Sequence, residues 1–176
     1  MNPVEAVPEV FVPDGLAPQE ALARTTHMAI AAHQDDLEIM AIEGILACFQ
    51  REDRWFCGVV VTDGSASPRD GDYKDYDGCT MQAVRRKEQR KAAVIGEYGA
   101  QIQMAYPSAA IKNGANREPV DALVRLLEAA RPEVLYTHNL ADKHDTHVAV
   151  ALKVIEAVRR LHPAARPQRF YGCEIW

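Results

Sequence analysis

Cysteine is scarce in this chain of 176 residues, and the four present, Cys48, Cys57, Cys79 and Cys173, form neither a C-x-x-C nor a close pair. That excludes a disulfide framework and a thiolate zinc site, and it reads as reduced thiols in a cytoplasmic protein. A basic excess is missing too. With 20 Lys and Arg against 25 Asp and Glu, the net charge is −5, so a nucleic-acid partner, which needs a basic surface, is not expected. No apolar run approaches the roughly 20 residues of a membrane-spanning helix, so no membrane partner is expected. The first residues carry Glu5, Glu9 and prolines where a secretory signal would have a basic start and an apolar core. Finally, the turn after the first apolar strand contains no glycine. A dinucleotide pyrophosphate needs G-x-G-x-x-G there for close backbone approach, so a nicotinamide or flavin site is excluded.

What is present suffices for one core: 48% of the residues are hydrophobic, and a chain of this length buries roughly 70% of the surface its unfolded form exposes. Pro3, Pro8, Pro13 and Pro18 break up the start, so residues 1–24 are expected to form an irregular arm and residues 25–176 a single domain. In that domain apolar runs of strand length alternate with segments of helical period. Strands are expected over 26–32, 56–62, 101–105, 134–137 and 169–176. Helices are expected over 36–50, over 81–98 with Gly99 closing it, from Glu118 with Pro119 in its first turn, and over 145–161. This order predicts an α/β fold, a Rossmann-like three-layer sandwich with a mostly parallel sheet. Ligands of such sheets bind beyond the carboxyl ends of the strands, and His33, Asp63 and the segment 138–144 all follow a strand directly.

Two short clusters carry chemistry. His33-Gln34-Asp35-Asp36 opens the first helix, and His144-Asp145-Thr146-His147 opens the last. In each, two ligand-type side chains stand three residues apart, a spacing that places both on one helical face. His33, Asp36 and His147 make a set of nitrogen and oxygen ligands that leaves one position of a zinc ion open. Water at such a position has its pKa lowered toward ~7, and Asp35, rotated about 100° around the helix from Asp36, is placed to take its proton. His144 is left to donate a hydrogen bond to an oxyanion or a proton to a leaving amine. The same equipment cleaves an amide or an ester, and the residues do not choose. Glu38 supports the first turn or a ligand histidine. Asp63 opens a D-G turn, for which aspartate is common anyway, or serves the site. Arg85, Arg86, Lys87, Arg90 and Lys91 read as a solvated helix face. His27 and His162 read as structural, and His138 lies near the site by sequence alone. Residues 63–80 form a long acidic loop, a lid or a mobile segment, whose Tyr73 and Tyr76 are of a type that stacks on sugars.

The motifs together resemble the PIG-L/LmbE-like zinc-dependent N-deacetylase family: A-H-x-D-D-x-E stands here as residues 32–38, T-D-G as 62–64, R-x-x-E as Arg85 to Glu88, and H-x-x-H as His144 to His147. The resemblance implies zinc, with iron(II) or cobalt(II) as alternatives, on His33, Asp36 and His147. It implies Asp35 as base, His144 as acid or electrophile, and Arg85 and Asp63 toward the substrate. It further implies removal of acetyl from an N-acetylglucosamine-type amino sugar, with homo-oligomers compatible. Three departures stand out. Gln34 replaces the usual proline. Thr146 replaces an aspartate that orients the first histidine of the pair, leaving Asp145 or Asp142 for that support. The chain ends at Trp176, where members often continue, so a pocket wall is expected to be missing or to come from another subunit. A metal-dependent esterase or other amidase, and a silent carbohydrate-binding module, are the rival expectations.

Overall fold

The computed structural model describes residues 8–176. Its strands are β1 (Glu9–Phe11), β2 (His27–Ala31), β3 (Phe56–Thr62), β4 (Ala100–Tyr106), β5 (Val134–His138) and β6 (Arg169–Cys173). They form one sheet in the order β1-β4-β3-β2-β5-β6. All neighbours run parallel except β1 and β4. Every residue of β2, β3 and β5 is buried, as expected of parallel strands covered on both faces, which read as continuous apolar runs.

The two-residue strand period sorts side chains between two cores. Met28, Ile30, Cys57, Val59 and Val61 point to one, with Leu123 and Leu127 of α6 (Glu118–Ala130) and Val150 and Val154 of α7 (Asp145–Arg160). Ala21 of α1 (Pro18–Ala23) and Ile111 of α5 (Ser108–Lys112) complete that layer. Ala29, Ala31, Phe56 and Val60 point to the other, with Leu37 and Met40 of α2 (Asp36–Met40), Ile45 and Cys48 of α3 (Ile42–Cys48) and Ala93 of α4 (Gly78–Ile95). The molecule is thus the expected three-layer sandwich. Among the described residues no helix is long and apolar enough to cross a membrane.

Four local readings need correction. The segment 36–50 is two helices, because Ala41 leaves helical backbone geometry at φ −116° and ψ 22°. The helix expected over 81–98 runs over Gly78–Ile95: the Asp77 carboxylate accepts from the Thr80 N–H at 2.7 Å and fixes its start, and Gly96, not Gly99, closes it. The last strand stops at Cys173. The arm expected to be irregular over 1–24 lies outside the described residues for 1–7, and beyond them it contains β1 and α1. The stretch Glu9-Val10-Phe11 is free of proline and can pair along β4, and Pro18 sits in the first turn of α1, where its missing N–H costs nothing.

Candidate metal centre

β2 ends beside two other strand ends, and hydrogen bonds fix the junction. The Ala32 N–H donates to Nε2 of His138 at 2.8 Å, and the Ala32 carbonyl accepts from the Thr62 N–H at 2.9 Å and the Thr62 hydroxyl at 2.8 Å. The chain then turns sharply: the His33 N–H donates to Oδ2 of Asp36 at 2.7 Å, and Asp35 adopts left-handed backbone geometry with φ +80°. On the far side of β5, His144 caps α7 and His147 stands in its first turn, buried.

These elements bring three donor atoms together. Nδ1 of His33 lies 3.2 Å from Nε2 of His147 and 3.3 Å from Oδ2 of Asp36, and that oxygen lies 3.5 Å from Nε2 of His147. A tetrahedral site with nitrogen and oxygen ligands at ~2.0–2.1 Å has edges of about 3.3 to 3.4 Å, so the triangle has the dimensions of one face of such a site. Two overlapping groups, His33 with His144 and His147, and Asp36 with His138 and His147, also come close enough to share a cation.

The electrostatics favour the deprotonated forms of Asp36 and His147. Burial alone would raise the Asp36 carboxyl, but the adjacent His138 and His33 imidazoles outweigh it and hold the group well below the usual carboxylate range. Burial pushes the His147 imidazole below its ordinary value, and the neighbouring His138 adds to this against the opposing pull of Asp142 and Asp36. Oδ2 of Asp142 sits 3.0 Å from Nδ1 of His147, which puts the ring hydrogen there and leaves Nε2 free toward the triangle. Oδ1 of Asp142 accepts from the Trp176 indole at 3.0 Å and from the His144 N–H at 2.8 Å. Despite the cost of desolvation, these bonds and His147 hold Asp142 at about 2.

A cavity of about 590 Å³ opens over the triangle, with Asp35, Arg85, His144 and Trp176 in its wall. Asp35, adjacent to the buried Asp36, keeps its side chain 66% exposed at the rim, where the Arg85 guanidinium holds it at 2.7 Å. The same guanidinium donates to the Gln34 carbonyl at 2.5 Å and to Glu88 at 2.6 Å. Nδ1 of His144 accepts from the Thr146 N–H at 3.2 Å, so the neutral ring carries its hydrogen on Nε2.

Residues 28–158 match the family model described as PIG-L: GlcNAc-PI de-N-acetylase. The chain belongs to the PIG-L family. No curated protein matches it. Among solved structures, N,N'-diacetylchitobiose deacetylase from Pyrococcus horikoshii has a TM-score of 0.65 and 21% identity over 77% of this chain and 49% of its own. GalB, the 4-carboxy-2-hydroxymuconate hydratase of Pseudomonas putida KT2440, has 0.64 and 18% over 84% and 62%. The A40926 pseudoaglycone deacetylase Dbv21 has 0.60 and 17% over 77% and 60%. The chain thus spans about half to two thirds of the length of these structures, and at such identities they share its fold.

Of the residues singled out in sequence, His33, Asp35, Asp36, Arg85, His144 and His147 meet at this PIG-L cavity, and Asp63 does not line it. Oδ1 of Asp63 accepts from the Ser65 N–H at 3.0 Å and hydroxyl at 2.8 Å, and Oδ2 from Gln82 at 3.1 Å, so its carboxylate organises its own loop. Tyr73 and Tyr76 pack edge to face on each other, their centroids 5.5 Å apart. Asp142 supports the ring of His147, not that of His144. Glu38 bonds to Gln89 and Tyr98, each at 2.8 Å. His138, placed near the site by sequence but given no role there, stacks on His147 at 4.1 Å and 7°. It is the last residue of β5, at the carboxyl end of a strand, the position that marked the segment 138–144 in the sequence.

Proposed function

We propose that this chain is a metal-dependent N-deacetylase that removes acetyl from an N-acetylglucosamine-type amino sugar or its glycoside. The supporting observation is the triangle of His33, Asp36 and His147 donor atoms at 3.2–3.5 Å in the floor of a cavity rimmed by Asp35 and His144. These three residues would hold the cation, zinc first, with iron(II) or cobalt(II) in its place. When bound, it supplies Lewis-acid polarisation of the amide carbonyl and acidifies the attacking water.

The chain's own groups do the rest. Asp35, held by Arg85 at 2.7 Å, takes a proton from water as the oxygen attacks the amide carbon. His144 presents its Nε2 hydrogen to the oxyanion, a role that suits a neutral ring whose Nδ1 is occupied by the Thr146 N–H. The proton held by Asp35 passes to the amine as the C–N bond breaks, giving acetate and the free amino sugar. Trp176 and Arg85 flank the space where a sugar would rest.

The likeness to a hydratase of the same fold supports a second reading, in which the same groups add water to an activated double bond. Metal-loaded protein with N,N'-diacetylchitobiose separates the readings. The deacetylase releases acetate and primary amine in equal amounts, stops on chelation and recovers with zinc. Acetate from simple esters alone marks the esterase, and hydration of a hydroxymuconate-type diene with no acetate from sugars marks the hydratase. Sugar binding that ignores metal removal marks a silent module.

A further inference from the structure

The left-handed backbone of Asp35 is unusual for a residue with a β-carbon, and it persists only where surroundings impose it. Its imposition comes from α4. Met81, Arg85, Gln89 and Ala93 recur at intervals of four along that helix, so they share one face. Gln89 is 1% exposed. Its Oε1 accepts from the Asp35 N–H at 3.1 Å, and its Nε2 donates to Oε1 of Glu38 at 2.8 Å. The amide has one workable orientation, because the Asp35 N–H only donates and so must face Oε1. Glu38 is fixed in turn by the Tyr98 hydroxyl at 2.8 Å.

We propose that Gln89 is a positioning residue for the reaction, holding the Asp35 backbone in the left-handed turn while Arg85 holds its carboxylate, so that the base faces the cavity and Asp36 faces the core. The inference rests on the reading of Asp35 as base. It accounts for a buried carboxamide one turn beyond Arg85, which accepts from the Asp35 N–H and donates to Glu38 and, at 3.4 Å, to Oε1 of Gln101. It also explains how adjacent carboxylates come to differ so widely in burial, since the turn at Asp35 sends them to opposite sides.

The test is a double-mutant cycle in the zinc-loaded enzyme with N,N'-diacetylchitobiose. Gln89→Met keeps the packing and removes the acceptor. It is expected to lower kcat by roughly 10- to 100-fold, with KM and zinc content unchanged. On the residual rate of Asp35→Asn the same substitution is expected to have no further effect, because Gln89 acts through Asp35. Independent losses in the two backgrounds, or a loss carried by KM or zinc content, would overturn the proposal. Amide hydrogen exchange judges the contact without any turnover: the Asp35 N–H is expected to be protected in the wild type and released in Gln89→Met. An unprotected Asp35 amide in the wild type overturns the proposal even if Gln89→Met fails to fold. Wild-type protein that protects this amide but releases no acetate would fault the deacetylase reading and leave the Gln89 contact standing.

Discussion

Asp35 and Asp36 are neighbours with opposite surroundings, and the division of labour proposed for them follows from that. Asp36 is buried at the histidine triangle, whereas Asp35 is exposed and gripped by Arg85. Asp35→Asn keeps a side chain that tolerates left-handed geometry and touches no donor of the triangle. It is expected to retain metal while losing about 10²- to 10⁴-fold in rate. His147→Ala is expected to lose both. Metal quantification beside acetate release decides, and equal metal loss in both variants would end this assignment of roles. Behind His147, Asp142 holds the ring tautomer and Trp176 holds Asp142. Asp142→Ala is therefore expected to weaken metal binding by roughly 10- to 100-fold, and Trp176→Phe, which removes the indole N–H but keeps an aromatic ring, by less. A competition titration with a chromophoric chelator ranks the two, and Trp176→Phe exceeding Asp142→Ala would refute the order of dependence.

At the scale of elements, the strands were legible because a strand buried on both faces must be apolar throughout, as FCGVVVT is. The break at Ala41 was not, because the buried positions Leu37, Met40, Ala41, Gly44, Ile45 and Cys48 keep helical spacing straight across it. The paired ligands were legible because each pair is local, three residues apart. Gln89 was not, because its partners Asp35 and Glu38 are more than fifty residues away, and it looked like part of a solvated basic helix. The alternation AQIQMAY in β4 suggests glutamines facing water, yet Gln101 and Gln103 are buried at 0% and 2%, bonded to Gln89 and Arg86 of α4 and to Gln34. That polar layer makes the packing there exacting. A β-carbon at Gly58 in mid-β3 would stand 2.5 Å from Oε1 of Gln101 and 2.9 Å from Cδ1 of Leu37. Gly58→Ala is expected to cost about 1–3 kcal/mol through overpacking, seen as a lower urea midpoint at unchanged m-value. An unaltered midpoint would show that the layer yields freely.

Across the whole molecule, the groups that serve the site and the thiols of the core set opposite limits on pH. His147 is depressed below its ordinary imidazole value in the fold, so below about pH 6.5 the unfolded chain binds the extra proton and stability falls with pH. Asp36 and Asp142 are depressed too; their contribution is complete above about pH 4 and is lost as pH falls toward their folded values, about 2 for Asp142. At the other end burial pushes Cys48 up to about 11 and Cys57 up to about 12. The unfolded thiols ionise from about pH 8.5, so stability falls again above it. Metal-free protein is therefore expected to show its highest denaturant midpoint between roughly pH 6.5 and 8.5. Cys57→Ala should flatten the alkaline limb and leave the acid limb alone, since its side chain is remote in chemistry from the carboxylates and imidazoles that set the latter. A midpoint that rises as pH falls from 6.5 to 4 would mean that the buried imidazole and carboxylates are not held as described. The same acid limb should recede when zinc is added, because a cation that needs these donors deprotonated competes with the proton for them.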